Sequence, residues 1–126
     1  MNTKYRNKPT VVDGIWFQSI LESKLYLILR DEERAGIIFD LKRQPKVPIE
    51  INGIHICYYI LDFRYKIVET GEKVYVDAKG KLTDTSSLKM KLVKALYPNI
   101  TFKFWPERGK RKRKRQTKRK SIQDKN

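Results

Sequence analysis

The sequence predicts a single α/β domain with a mixed sheet, built in the order helix, three strands, helix, strand. Two stretches, residues 19–35 and residues 88–96, carry apolar side chains at helical spacing. Runs rich in β-branched and aromatic residues precede and follow the second stretch, as is typical of strands. With 126 residues, 40% of them hydrophobic, the chain is long enough for one domain with a modest core.

The first predicted helix spans residues 19–35, and Gly36 suits the position that follows a helix C-terminus. Its apolar stripe consists of Leu21, Leu25, Ile28 and Leu29. A short apolar run at residues 37–39 predicts the first strand. After the break at Gln44-Pro45, we expect residues 47–51 to continue the edge of the sheet that this first strand forms.

The next two strands are predicted at residues 54–67 and 74–79, both rich in β-branched and aromatic side chains. Residues 69–72, Glu-Thr-Gly-Glu, predict a tight turn that makes the two strands a hairpin. The second helix follows, with capping side chains at its start: Thr83, Asp84, Thr85 and Ser86. Its predicted apolar stripe is Leu88, Leu92, Ala95 and Leu96. Pro98 ends the helix, and residues 100–105 predict the last strand.

The charge of the chain is concentrated near its C-terminus. The formal net charge is +15, and ten of the thirteen residues at positions 108–120 are Lys or Arg. We therefore expect a folded domain at residues 1–106, loose at residues 1–10, and a basic tail at residues 107–126 that is disordered when free. Such a run gains free energy by displacing counterions from a polyanion, so nucleic acid is the expected partner. The tail lacks the apolar face of a membrane-surface helix.

Several classes of protein are excluded by what the sequence lacks. With the single cysteine Cys57, the chain can form neither an internal disulfide framework nor a zinc site of four cysteines. It contains no glycine-rich phosphate loop of the ATPase type. No apolar segment opens the chain and none approaches transmembrane length, so we expect a cytoplasmic protein without a membrane partner.

Acidic side chains on the predicted hairpin point to a common site. Asp77 and Lys79 share one face of their strand, because strand side chains alternate. A two-residue turn would place Asp62 opposite Lys79, and a four-residue turn would place it opposite Asp77. Asp62 therefore lies on the Asp77 face in either register, unless a bulge or a one-residue slip separates them.

Two neighbouring carboxylates repel each other unless a cation lies between them, and oxygen ligands suit Mg²⁺ or Mn²⁺. Such an ion would activate water and offset charge on a phosphate in the transition state. Lys79 could orient the water or stabilise the phosphorus. Glu22 borders the apolar stripe of the first helix, so packing of that helix on the sheet would add a third carboxylate.

Each feature also has a simpler interpretation. Asp77 and Lys79 could be solvated surface, and Glu22 could be a charge at the edge of a helix. Asp62 could form a structural salt bridge with Lys79. However, Asp62 interrupts an apolar strand, where a carboxylate requires a partner.

This combination resembles the PD-(D/E)XK nuclease superfamily, whose core runs helix, three strands, helix, strand. The matching residues are Glu22 on the first helix, Asp62 on the second strand and Asp77-Ala78-Lys79 on the third. Leu61 replaces the proline of the superfamily pattern, and its third motif begins here with Asp rather than Glu. The resemblance implies a restriction-endonuclease-like domain with the metal held by Asp62, Asp77 and the Ala78 carbonyl. It also implies that Glu22 assists and that Lys79 acts on the water.

Further segments are similar to a family of short phage proteins that resemble Holliday junction resolvases. They are Asp13-Gly14-Ile15 with Phe17 before Ser19 and Glu22, Gln44-Pro45-Lys46, Asp62-Phe63-Arg64-Tyr65, and Lys79-Gly80 followed by Thr83 and Thr85. This resemblance implies a homodimer that cuts branched four-way junctions with Mg²⁺, with Mn²⁺ also supporting activity. It would act in the host cytoplasm if it is phage-encoded.

Candidate DNA contacts lie at the start of the second helix and in the tail. Helix N-termini favour phosphate, and basic tails add affinity without sequence preference. The candidate residues are Lys81, Thr83, Thr85, Lys89, Arg108, Lys110, Arg111, Lys112, Arg113, Lys114 and Arg115. Thr83 and Thr85 could instead only cap the helix, and the tail could serve solubility or nuclear import.

The sequence therefore predicts a Mg²⁺-dependent endodeoxyribonuclease of the Holliday junction resolvase type. One alternative is a restriction-like or nicking nuclease with the same fold. The other is a basic nucleic-acid-binding protein without catalytic activity.

Overall fold

The computed structural model describes residues 8–107, and residues 1–7 and 108–126 lie outside this range. The secondary structure is, in chain order, β1 (Thr10–Val12), β2 (Ile15–Phe17), α1 (Ile20–Arg34), β3 (Ile38–Arg43), β4 (Lys46–Ile51), β5 (Ile54–Ile60), β6 (Phe63–Ile67), β7 (Lys73–Ala78), α2 (Asp84–Leu96) and β8 (Thr101–Trp105). Neither described helix is long and apolar enough to cross a membrane.

The central sheet is mixed, as the sequence predicts. Its four strands lie in the order β3-β6-β7-β8. The first three are antiparallel neighbours, and β7 and β8 are parallel because α2 carries the chain back to the same end of the sheet. The predicted α/β class and the order helix, three strands, helix, strand are confirmed for this central unit.

The two helices cover opposite faces of this sheet. Leu25 and Leu29 of α1 pack in one cluster of buried side chains with Val74 and Val76 of β7. The intervening Tyr75 points the other way and packs against a second cluster, which contains Met90 and Val93 of α2. The sheet is thus buried on both sides.

The prediction of one strand over residues 54–67 is wrong. The chain bends at Leu61 and Asp62, so β5 pairs with β4 in a separate two-stranded sheet and β6 joins the central sheet. The reason is packing. Leu61 and Phe63 would share one face of a continuous strand, yet Leu61 is buried on the α2 side and Phe63 on the α1 side.

Within residues 8–107, β4 pairs with β5 and not with the strands of the central sheet, so the expectation that residues 47–51 continue the edge of the first strand is also wrong. Of the segment expected to be loose, residues 1–10, the structure describes only the last three residues. Thr10, at its end, begins a hairpin with Phe17 as its partner. Asp13 and Gly14 form its turn with φ angles of 53° and 75°, the left-handed conformation that such a turn requires.

Both helices lie where they are predicted, but their buried faces differ in part. In α1, Leu25 and Leu29 are buried, whereas Ile28 is exposed. In α2 the buried residues are Ser86, Met90 and Val93, and the predicted stripe is displaced towards solvent, with Leu88 58% exposed. Helical spacing permits several rotations of α2, and its contacts with β4 and β8 select this one.

Candidate active site

The turn between β6 and β7 brings Asp62 beside Asp77. The Ile67 N–H donates to the Glu72 carbonyl and closes a four-residue turn, in which Gly71 has a φ of 75°. In this register Phe63 faces Val76, and the Asp62 N–H donates to the Val76 carbonyl at 3.2 Å. The longer of the two expected turns is therefore present, and Asp62 and Asp77 lie side by side.

The two carboxylates form a close and largely buried pair. Asp77 is only 2% exposed, Asp62 is half-buried, and the charge of Asp77 acts directly on Asp62. Asp62 Oδ2 also accepts the Ala78 N–H at 2.7 Å. Burial raises the pKa of Asp62 well above its ordinary value, and the adjacent Asp77 charge raises it further. Two carboxylates held together in this way favour either a shared proton or a cation between them.

A lysine at the end of β7 partly offsets this negative charge. Lys79 Nζ lies 3.4 Å from Asp77 Oδ2, and the Lys79 side chain is 35% exposed. The Lys79 N–H donates to the carbonyl of Trp105 at 3.0 Å, which anchors this strand end on β8. The ammonium group thus reaches both the carboxylate pair and solvent.

Tyr59 is part of the site, and the sequence analysis missed it. Its hydroxyl donates to Asp77 Oδ2 at 3.0 Å, and its ring is buried in the cluster on the α2 side. Burial, followed by the charge of Asp77, raises the Tyr59 pKa, so this hydroxyl stays protonated and remains a donor. In the sequence Tyr59 belongs to an apolar run, and only the fold of the β4–β5 hairpin brings it to Asp77.

The third predicted carboxylate, Glu22, lies in the first turn of α1. Ser19 caps this helix, with its Oγ accepting the Glu22 N–H at 3.1 Å. The Glu22 side chain is 7% exposed, and burial raises its pKa. The Arg43 charge opposes this rise most strongly, and the charges of Asp77 and Lys79 also act on Glu22. Glu22 therefore belongs to the same electrostatic environment as the carboxylate pair.

The donor set fits a small divalent cation. Its candidate ligands are carboxylate oxygens, which Mg²⁺ and Mn²⁺ prefer. The carboxylates of Asp62 and Asp77 already lie side by side. Within residues 8–107, no three His, Cys, Asp or Glu side chains are close enough to form a ready-made metal site. The structure thus provides a close pair, Asp62 and Asp77, with Glu22 as a neighbour. The role predicted for the Ala78 carbonyl stays a prediction.

The candidate DNA contacts at α2 have different surroundings. Thr83 caps the helix, since its Oγ1 accepts the Ser86 N–H at 3.1 Å and its own N–H donates to Ser86 Oγ at 3.0 Å. Lys81 and Thr85 are exposed. The Lys89 ammonium donates to the Tyr58 carbonyl at 3.2 Å, so it already has a partner in the protein. The predicted tail contacts, Arg108, Lys110, Arg111, Lys112, Arg113, Lys114 and Arg115, lie outside the described residues.

Comparison with known proteins identifies a family but no individual relative. No curated protein and no solved structure matches the chain. A family model described as "Protein of unknown function (DUF1064)" matches residues 2–113, which is most of the sequence and includes the whole candidate active site. The chain therefore belongs to the DUF1064 family.

Proposed function

We propose that this protein is a Mg²⁺-dependent endodeoxyribonuclease with a restriction-endonuclease-like domain, acting on branched DNA as a Holliday junction resolvase does. The observation that carries the proposal is the close pair of Asp62 and Asp77, which lie side by side on neighbouring strands with Asp77 buried. The charges of Glu22 and Asp77 interact, and the Lys79 ammonium lies 3.4 Å from Asp77 Oδ2. A purely structural ion pair of one carboxylate with Lys79 would not require a second buried carboxylate beside it.

In this proposal Asp62 and Asp77 hold the ion together with the Ala78 carbonyl, and Glu22 assists. The bound ion would supply positive charge that activates water and offsets charge on the phosphate. Lys79, whose ammonium reaches both Asp77 and solvent, orients the water or stabilises the phosphate. Hydrolysis joins a water oxygen to phosphorus and breaks the bond to the 3′ oxygen.

Substrate and assembly follow from the resemblance to resolvases. Two symmetric nicks are needed to resolve a four-way junction, which favours a homodimer acting on DNA. The basic tail, with ten Lys and Arg among residues 108–120, supplies affinity that does not depend on sequence. Mn²⁺ should replace Mg²⁺, because both are bound by oxygen ligands. The host cytoplasm is the proposed location if the protein is phage-encoded.

The deciding experiment compares end-labelled four-way junction, linear duplex and single-stranded DNA, each with the purified full chain. Parallel reactions contain Mg²⁺, Mn²⁺ or a chelator, and Asp77→Asn protein serves as the control for a contaminating nuclease. We expect cleavage of the junction in either metal and none with chelator or with the variant.

Other outcomes would replace the proposal with a specific alternative. Equal cutting of duplex and junction would indicate a restriction-like or nicking enzyme with the same chemistry. Binding of the junction without cleavage in either metal would indicate a nucleic-acid-binding protein that lacks catalytic activity.

A further inference from the structure

Arg43 lies beside the carboxylate pair, on the last residue of β3. It is paired across the strands with Phe63, the residue that follows Asp62. The adjacent Gln44 N–H donates to the Asp62 carbonyl at 2.8 Å. The backbone that carries Arg43 is thus attached directly to the backbone that carries Asp62.

The side chain of Arg43 is directed by two further contacts. Its guanidinium carbon lies 4.9 Å from the centre of the Phe17 ring, a cation–π contact with a fully buried aromatic side chain. Its positive charge is also the strongest of the charges that act on Glu22. The guanidinium therefore lies over the Phe17 ring, close enough to Glu22 for its charge to act on that carboxylate.

The hydrogen-bond donors of Arg43 are not used within residues 8–107. In this part of the chain its guanidinium lies over the Phe17 ring and makes no hydrogen bond and no ion pair. Two other arginines behave differently. Arg30 donates to Asp13 and Asp31, and Arg64 donates to Asp40. Arg43 is exposed to solvent, so its N–H groups are available to a ligand.

We propose that Arg43 binds a phosphate of the DNA strand that is cut at this site. The inference deepens the proposed nuclease function and rests on it. An acidic centre repels a polyanion, so the phosphate that approaches it needs a cation on the protein side. A guanidinium matches two phosphate oxygens with two parallel hydrogen bonds, and the contact with the Phe17 ring restricts the positions that this side chain can take.

The test combines protein variants with chemically altered DNA. Arg43→Gln removes the charge, and Lys42→Gln removes an equal charge from the adjacent, exposed residue, whose ammonium lies 3.9 Å from Asp40. Each protein is assayed on a set of junctions in which one phosphate near the cut is replaced by an uncharged methylphosphonate. Cleavage rates, DNA affinities and Tm values are measured for every combination.

We expect Arg43→Gln to lower kcat/KM on unmodified DNA by about 10- to 100-fold, the size of one charge-assisted hydrogen-bonding pair. Lys42→Gln should change it by less than about 2-fold. At one methylphosphonate position, wild type and Arg43→Gln should have equal kcat/KM values. The uncharged group has already removed the phosphate that Arg43 would contact. Arg43→Lys should recover only part of the loss, since an ammonium cannot form the paired hydrogen bonds.

The outcomes separate this inference from the nuclease proposal. If wild type cuts DNA and Arg43→Gln cuts equally well, only the phosphate contact is refuted. If Arg43→Gln lowers kcat/KM by the same factor at every methylphosphonate position, Arg43 acts on Glu22 and not on the DNA. That result would also refute the phosphate contact. If wild type binds but never cuts, the nuclease proposal fails, and the affinities across the same DNA set still test the contact. Absence of any DNA binding refutes both.

Discussion

The hydroxyl of Tyr59 donates a hydrogen bond to Oδ2 of Asp77 at 3.0 Å, joining the small β4–β5 sheet to the central sheet. Lys79 Nζ approaches the same oxygen at 3.4 Å. Asp77 is therefore oriented from two sides, while Asp62 lies beside it. A carboxylate that is held in this way needs little rearrangement to bind a cation.

Replacing Tyr59 with Phe should weaken the response to metal while the fold remains. Loss of a partner that orients a metal ligand costs about 10- to 100-fold in metal affinity or activity. We therefore expect the Mg²⁺ concentration for half-maximal cleavage to rise by about 10-fold. Tyr58→Phe, at the adjacent and exposed tyrosine, is the matched control. An unchanged Mg²⁺ titration for Tyr59→Phe would remove the hydroxyl from the site.

Asp77→Asn should abolish cleavage and leave DNA binding within a few-fold of wild type. One of the two carboxylates of the pair is lost, while the basic residues of the tail remain. The Tm should stay the same or rise, because like-charge repulsion with Asp62 is relieved. Asp31→Asn, at an exposed position on α1, controls for the loss of one negative charge. Full activity of Asp77→Asn would refute the metal site.

Glu22→Gln should reduce activity far more than stability. The substitution keeps the side-chain volume, and the Ser19 cap is retained because it uses the Glu22 backbone N–H. We expect a cleavage rate lowered by about 10-fold or more and a change in unfolding free energy of no more than about 1 kcal/mol. Glu32→Gln on the same helix serves as the control. If the rate of Glu22→Gln equals that of wild type, Glu22 has no catalytic role.

Thr83→Ala should destabilise the protein, because it removes the N-cap of α2 and its reciprocal bonds with Ser86. The expected loss is about 1 kcal/mol in unfolding free energy, measured by denaturant titration. Thr85→Ala, in the same turn and exposed, should cost less. Junction affinity is then measured at a temperature where both variants are folded. If it falls for Thr83→Ala but not for Thr85→Ala, Thr83 contacts a DNA phosphate in addition to capping the helix.

Deleting residues 108–126 should weaken DNA binding and reduce its dependence on salt. The deletion removes eleven Lys and Arg, ten of them at positions 108–120, and each phosphate neutralised contributes about 0.9 to the slope of log affinity against log salt. Deleting only residues 121–126, which carry no net charge, is the control. The measurement is junction affinity at several salt concentrations. The same slope in both deletions would exclude the tail from DNA binding.

The sequence alone determined the order of the central elements. Their signals are local, such as the capping residues before α2, the glycine-containing turn between β6 and β7, and the alternation along β7. Alternation also placed Asp62 on the Asp77 face of the hairpin in either of the two turn lengths considered. These features depend on neighbours along the chain, so they could be predicted without knowledge of the rest of the fold.

Only the tertiary structure decided which more distant residues surround this pair. The bend at Leu61 arises because its side chain and that of Phe63 enter different clusters. The same bend lets β5 pair with β4, which carries Tyr59 to Asp77. Arg43 is brought near Asp62 by the pairing of β3 with β6, and its guanidinium lies over the Phe17 ring. Each of these contacts joins segments that are far apart in sequence. These contacts are stabilised by packing and by charge interactions between helices and strands that are distant in the sequence. A local pattern of residue types does not determine which of these elements come together.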